Sequence, residues 1–159
     1  MRIAMKSAVD FLKKEVQKKS IVYMDSSKYE HKIETSNVWG YCQNRTVYIY
    51  YNNDFNRVNV IGTLMQFTAL VTISPGFMDP MYSNYGLSTT VDELRQFVYD
   101  TQTNKIVPFD VKNLTLLLKN DAELYAQYME LGKREKADSQ FIYLRKYNEN
   151  HPLMLPAAN

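Results

Sequence analysis

The chain has 159 residues and a net charge of +2, and 45% of its residues are hydrophobic while 23% are charged. This length suits one domain of ordinary globular composition. The balanced charge lacks the concentrated basic stripe of a nucleic-acid-binding protein, so we expect no nucleic-acid partner. No apolar run reaches the roughly 18 residues of a membrane-crossing helix, so we expect no transmembrane span.

The N-terminal part predicts a helix over 2–19, because its apolar residues recur on one helical stripe. These residues are Met5, Val9, Leu12 and Val16. Residues 20–24 (SIVYM) are short and β-branched and indicate a strand, whereas the polar residues 25–36 indicate a loop.

From residue 37 the hydrophobic pattern changes to the period of two that is typical of antiparallel strands. Four strands are predicted, at 37–42, 46–52, 56–61 and 64–73. Turn residues connect them, with Asn44-Arg45 in the first loop and Asn52-Asn53-Asp54 in the second. Gly62 predicts a bulge or tight bend before the fourth strand.

Residues 74–91 form one long irregular stretch, and a loop of this length is typically mobile or functional. A further hairpin is predicted from 95–100 and 105–110. Its second strand contains Pro108, which cannot donate to a ladder, so we place this strand at an edge of the sheet.

The C-terminal part predicts three helices, at 111–119, 122–131 and 136–148. Asp110 and Asp121 are suitable N-caps for the first two. The fold class is therefore α+β: an antiparallel β-meander of five to seven strands with an N-terminal helix and a C-terminal helical trio. We expect a single domain over 1–159, with the sheet at 37–110 and the helical region at 111–150.

The turns also predict strand register. A loop of two or four residues at Asn44-Arg45 pairs Tyr41 with Tyr48 and Cys42 with Val47. A loop closed on Asn53-Asp54 pairs the following residues: Tyr51 with Asn56, Tyr50 with Arg57, and Ile49 with Val58.

This register separates two faces of the sheet. One face is nearly all aliphatic and is the expected core: Val38, Gly40, Cys42, Val47, Ile49, Tyr51, Val58 and Val60. The other is an aromatic ladder with polar neighbours: Trp39, Tyr41, Tyr48, Tyr50, Arg57 and Asn59. The separation requires Trp39 and Val47 to point to opposite sides of the sheet.

Two interpretations of the aromatic face remain open. In the first, it packs under the N-terminal helix or under one of the C-terminal helices, and cross-strand ring pairs stabilise the sheet. In the second, the face is open and stacks on a glycan or peptide, and the 74–91 loop closes over it with Phe77, Tyr82 and Tyr85. Burial of the ladder in a homo-oligomer is a further alternative.

No residue pattern identifies catalytic chemistry. His31, His151 and Cys42 lack the spacing of metal ligands, and no glycine-rich phosphate loop or nucleophile elbow occurs, so we expect no metal and no cofactor. Cys42 is expected to be an inert buried thiol. Asp79 is the best single acid candidate, although Asp-Pro is more typical of a turn.

Two segments resemble a group of uncharacterised small secreted or envelope proteins of gut-type Gram-negative bacteria. The first segment is Asn37-Val38-Trp39-Gly40-Tyr41-Cys42, continued by Val47-Tyr48-Ile49, Phe55 and Ile61-Gly62. The second begins at Phe141-Ile142-Tyr143-Leu144-Arg145-Lys146-Tyr147-Asn148 and ends at His151-Pro152-Leu153. The resemblance implies a signal peptide in relatives, and it transfers no catalytic residues.

We therefore predict a non-catalytic envelope or periplasmic protein that binds a glycan, a peptide or another protein. The compartment expectation has two forms: a secreted or periplasmic chain whose signal has been removed, or a cytoplasmic member. The alternative function is a hydrolase acting on an envelope glycan or peptide, which would need two acids beside the aromatic face.

Overall fold

The computed structural model describes residues 20–24, 27–73 and 90–153, and these form an α+β fold with antiparallel strands, as predicted. The predicted helix at 2–19 lies outside the described residues. The strands are β1 (Ser20–Met24), β2 (Glu30–Glu34), β3 (Gly40–Gln43), β4 (Thr46–Tyr51), β5 (Asp54–Val60), β6 (Leu64–Ile73), β7 (Val91–Asp100) and β8 (Lys105–Pro108). The helices are α1 (Val111–Leu118), α2 (Ala122–Glu130), α3 (Lys133–Asp138) and α4 (Gln140–Asn150).

The eight described strands form two sheets rather than one meander. β1 and β2 pair with each other, and β3 to β8 form a six-stranded sheet in chain order. Residues 30–34 (EHKIE) form β2, so the predicted loop over 25–36 is wrong there. This sequence indicated a loop because it is polar apart from Ile33. Its pairing with β1 supplies the hydrogen bonds that its composition does not signal.

Two tight turns set the register of β3, β4 and β5. Asn44 and Arg45 have φ of 50° and 60°, and Asn52 and Asn53 have φ of 53° and 62°. Two consecutive residues with positive φ are the signature of the two-residue turn that matches strand twist. The β3–β4 register is confirmed, with Tyr41 opposite Tyr48.

The predicted β4–β5 register is wrong by two residues. The turn is centred on Asn52-Asn53 rather than on Asn53-Asp54, so Tyr48 lies opposite Arg57 and Tyr50 lies opposite Phe55. Both asparagines tolerate the left-handed conformation, which moves Asp54 into the strand. A shift of two keeps every side chain on its face, because side chains alternate with a period of two.

The six-stranded sheet folds over at β5. This strand pairs with β4 through residues 54–57 and with β6 from Val58 onward. The rings of Tyr51 on β4 and Phe97 on β7 are 4.8 Å apart, although three strand spacings in a flat sheet would separate them by about 14 Å. We call β3, β4 and the start of β5 the front layer, and the end of β5 with β6 to β8 the middle layer.

The first hydrophobic core fills the space between the front and middle layers. Its buried members are Val47, Ile49, Val58, Met65, Phe67, Ala69, Phe97 and Tyr99. The predicted strand at 64–73 is confirmed, and its face of Met65, Phe67 and Ala69 faces this core. Val47, Ile49 and Val58 of the aliphatic face are therefore buried, as expected.

The second core lies between the other side of the middle layer and the helices. It contains Leu64, Val98, Leu114, Leu118, Leu124, Tyr128, Tyr143, Leu144 and Tyr147. The predicted caps are confirmed: Asp110 accepts from the Asn113 N–H at 2.7 Å, and Asp121 accepts from the Leu124 N–H at 3.0 Å.

The region predicted as one helix over 136–148 is two helices that meet at Ser139. Ser139 has φ of −99° and ψ of 5°, which departs from helical geometry, and its hydroxyl donates to the Glu135 carbonyl. A side-chain bond of this kind competes with the helical backbone bonds, so the chain changes direction there.

The end of α4 is fastened to the start of β6. The Asn148 side chain accepts from the Leu64 N–H at 2.8 Å and donates to the Leu64 carbonyl at 2.9 Å. A Cβ at Gly62 would collide with this same amide. Gly62 therefore gives Asn148 the room to bond the backbone of β6.

Candidate ligand-binding face

The side of the front layer that points away from the first core carries a compact group of rings. We call this surface the outer aromatic face, and its members are Tyr41, Tyr48, Tyr50, Phe55 and Arg57. The register places them on one side of the strands, opposite Val47 and Ile49. All four rings are half-buried, and Arg57 is exposed.

The rings of the outer aromatic face contact one another. Tyr41 and Tyr48 are stacked, with centroids 4.8 Å apart and planes inclined by 15°. Phe55 meets Tyr41 edge-on at 4.9 Å and lies tilted against Tyr50 at 5.1 Å. Contacts of this geometry stabilise aromatic pairs beyond the area that they bury.

The outer aromatic face carries one phenol with a raised pKa and one positive charge. Burial raises the pKa of Tyr41 above its usual value, and the nearby Tyr48 and Asp54 raise it further. Arg57 lies directly across from Tyr48 in the strand register and carries the positive charge of the face. The surface therefore combines ring edges and phenol hydroxyls with one cation.

Trp39 does not lie on this face, and its predicted placement is wrong. Its ring contacts Tyr99 at 4.6 Å and packs against the first core, which also contains Val47. Trp39 lies in a bend before β3 begins, so strand alternation does not govern its side chain, although its carbonyl accepts from the Tyr50 N–H at 2.9 Å.

Phe55 is the ring that sequence reasoning missed. It is two residues from Arg57, so period-two alternation puts both on one face, but the predicted strand over 56–61 began one residue after Phe55. The other predicted residues of the site, Phe77, Tyr82 and Tyr85, lie outside the described residues. The structure therefore brings together Tyr41, Tyr48, Tyr50 and Arg57, and it replaces Trp39 with Phe55.

The C-terminal helices do not cover the outer aromatic face. They pack against Leu64 and Val98 on the far side of the middle layer, with the first core between them and the front layer. The interpretation in which this face packs under the C-terminal helices is therefore wrong. The N-terminal helix of the same interpretation lies outside the described residues.

Comparisons of the chain with protein-family models, with curated proteins and with solved structures found no match. Within the described ranges, no helix is long and apolar enough to cross a membrane. Over the same ranges, no group of three or more His, Cys, Asp or Glu side chains is arranged to hold a metal ion.

Cys42 is exposed, contrary to expectation, because β3 is an edge strand.

Proposed function

We propose that this chain is a non-catalytic binding protein whose outer aromatic face is its recognition surface. The observation that carries the proposal is the position of this face: four contacting rings and Arg57 lie on the side of the front layer that faces away from both cores. Aromatic rings and arginine are the residues that are most enriched where proteins bind partners.

The ring geometry favours a peptide or protein over a glycan as the ligand. A sugar stacks on an open ring face, but Tyr41 and Tyr48 turn one face of each ring toward the other. What remains accessible includes ring edges, hydroxyl groups and the Arg57 guanidinium. These groups suit a partner that offers carbonyl and carboxylate acceptors beside apolar side chains.

The resemblance to envelope proteins of Gram-negative bacteria supports a setting in the periplasm or at the cell surface. In that setting, the available ligands include envelope peptides, envelope glycans and other envelope proteins. A homo-oligomer that buries the outer aromatic face is the self-binding form of the same proposal.

The test is a binding panel measured with the wild-type chain and two face variants. Labelled envelope peptides and soluble cell-wall glycan fragments are titrated while anisotropy is recorded, and solution mass is measured in parallel. Tyr50→Ser and Arg57→Gln should each weaken the ligand that binds wild type by about tenfold or more, because each removes a central contact.

A matched control is Tyr29→Ser. Tyr29 is a tyrosine with 71% of its surface exposed, and it lies next to β2 rather than on the face. This variant should bind as wild type does. Equal binding by all three variants, with folding intact, would show that the outer aromatic face does not bind the ligand.

The hydrolase alternative makes a different prediction for the same panel. It requires two carboxylates beside the outer aromatic face, and substrates would be consumed rather than held. Product release detected by mass spectrometry from any member of the panel would favour the hydrolase over the binding protein.

A further inference from the structure

The outer edge of β7 is only partly paired. β7 runs for ten residues and pairs with β6 along its whole length, but β8 covers only Phe97–Asp100 on the other side. The Phe109 N–H donates to the Gln96 carbonyl at 2.9 Å, after which the chain turns away into α1. No described strand pairs with residues 91–95 on this side.

The direction of the open backbone groups follows from the register. The Gln96 carbonyl points to the β8 side, and backbone groups in an antiparallel strand alternate between its two neighbours. The N–H and C=O groups of Asp92 and Leu94 therefore point to the open side as well. An extended chain is what satisfies donors and acceptors repeated at every second residue.

A groove lies next to this edge, where a continuation of β8 would run. It has a volume of about 520 Å³ and is lined by β7, the end of β8 and the helices, including Leu94, Phe109, Gln140 and Phe141. Leu94 is 69% exposed. In the groove wall, the Gln140 Oε1 atom is buried and has no hydrogen-bond partner within the described ranges.

The charges along the edge select for a basic partner. Glu93 is paired with Arg95 at 2.9 Å, so these two charges balance each other. Asp92 accepts a hydrogen bond from the Thr72 hydroxyl at 2.7 Å, and no described lysine or arginine forms an ion pair with it. A net negative charge therefore remains at Asp92, two residues from Leu94.

We propose that the open edge of β7 is a second docking site, which takes an extended peptide segment of a partner protein as an added strand. The added strand carries an apolar side chain opposite Leu94 into the groove and a lysine or arginine opposite Asp92. Because Asp92 and Leu94 share a face, these two residues of the partner stand two positions apart. The charged side chains beside the edge also oppose pairing with unselected strands.

The probe is a fluorescein-labelled heptapeptide, Thr-Lys-Val-Leu-Val-Lys-Thr, which presents the same pattern in either strand direction. The two end residues that run past Leu94 toward Gln96 and Phe97 remain outside the ladder, because residues 108–109 already pair there. It should bind the wild-type chain saturably, and the same peptide with Glu in place of both Lys should bind about tenfold more weakly. Absence of saturable binding to wild type, or equal binding of the two peptides, overturns the proposal.

Leu94→Pro tests the backbone contact directly. Proline removes the N–H that points to the open edge and leaves the β6 ladder intact, because the Leu94 N–H does not face β6. Its control is Leu94→Val, which keeps both the N–H and an apolar side chain. With the Lys peptide, Leu94→Pro should lose about tenfold in affinity relative to Leu94→Val; equal affinities would contradict strand addition.

Asp92→Lys keeps the proposal testable if the proline variant does not fold. This variant should reverse the preference, so that the Glu peptide binds more tightly than the Lys peptide. An unchanged preference would contradict the pairing of the partner's basic residue with Asp92.

Tyr50→Ser should leave heptapeptide binding unaltered, which separates this site from the outer aromatic face. A wild-type dimer that Leu94→Pro dissociates would show that a second copy occupies the edge instead.

Discussion

The tyrosines of the outer aromatic face are less buried than those of the helical side, although the residue type is the same. Tyr128 and Tyr147 are almost fully buried in the second core, and the Tyr128 hydroxyl donates to the Lys136 carbonyl at 3.0 Å. Tyr41, Tyr48 and Tyr50 are half-buried; Tyr41 stacks on Tyr48, and Tyr50 lies against Phe55. The difference shows that a tyrosine-rich sequence serves packing on one side of this molecule and leaves a surface on the other.

The largest expected effect that sharpens this comparison is in the second core. Tyr147→Ala should lower the free energy of unfolding by about 3–5 kcal/mol, because it removes a large buried ring from a packed cluster. Urea denaturation followed by circular dichroism measures this loss. A loss below about 1 kcal/mol would mean that Tyr147 is no more structural than the exposed tyrosines.

The fastening of α4 to β6 should give the next largest effect. Gly62→Ala forces the Asn148 amide away from Leu64 and breaks two hydrogen bonds, so we expect a loss of about 1–3 kcal/mol. In an Asn148→Ala background the same glycine substitution should cost much less, because the obstructing amide is gone. A double-mutant cycle measures this coupling, and additive effects would contradict it.

A smaller effect that depends on pH is expected at the contact between α2 and the end of α4. The Asn150 amide, the Leu124 N–H and His151 lower the pKa of Asp121 below its usual value. The unfolded chain therefore binds this proton more readily, and the stabilisation is fully present above the ordinary carboxyl pKa and is lost as pH falls through the folded value.

Asp121→Asn tests this contact because asparagine still caps the helix but carries no charge. The stability difference between wild type and variant should be greatest near neutral pH and should shrink below about pH 4. The control is Asp138→Asn, whose side chain is 75% exposed and which should show no such trend. A difference that stays constant from pH 7 to pH 3 would contradict the sign of the pKa shift.

The smallest stability effect is expected on the outer aromatic face. Tyr50→Ser should cost about 0.2–1 kcal/mol, because it removes a cross-strand pair with Phe55 and little buried area. The same denaturation assay applies. A loss as large as that of Tyr147→Ala would mean that the face is part of the core, and the distinction between the two groups of tyrosines would fail.

Local signals in the sequence predicted much of the fold. The strand at 64–73, the turn at Asn44-Arg45 and the caps Asp110 and Asp121 were all predicted correctly, because each depends on neighbours within a few residues. The start of β7 was missed, since its exposed residues Asp92 and Glu93 lack an apolar pattern. Its pairing with β6 is a long-range contact that composition does not report.

The candidate site was predicted in part for the same reason. The error of two residues in the β4–β5 register left Tyr48, Tyr50 and Arg57 on their face, because alternation tolerates an even shift. Trp39 was misplaced because it precedes the regular strand. Period-two reasoning holds only within a strand, and the bend at Trp39 is decided by the space that the first core offers beside Tyr99.

The sequence by itself determined the α+β class, the β3–β4 turn, the caps of α1 and α2 and the sidedness of β4 and β5, since these follow from backbone preferences and side-chain period. Only the tertiary structure decided that the sheet folds over at β5, that Trp39 enters the core, and that the C-terminal helices pack on the far side. The physical reason is that the folding of one layer onto another is set by contacts between residues distant in the chain, such as Tyr51 with Phe97. A local pattern specifies which side of a strand is apolar, but it does not specify what covers that side.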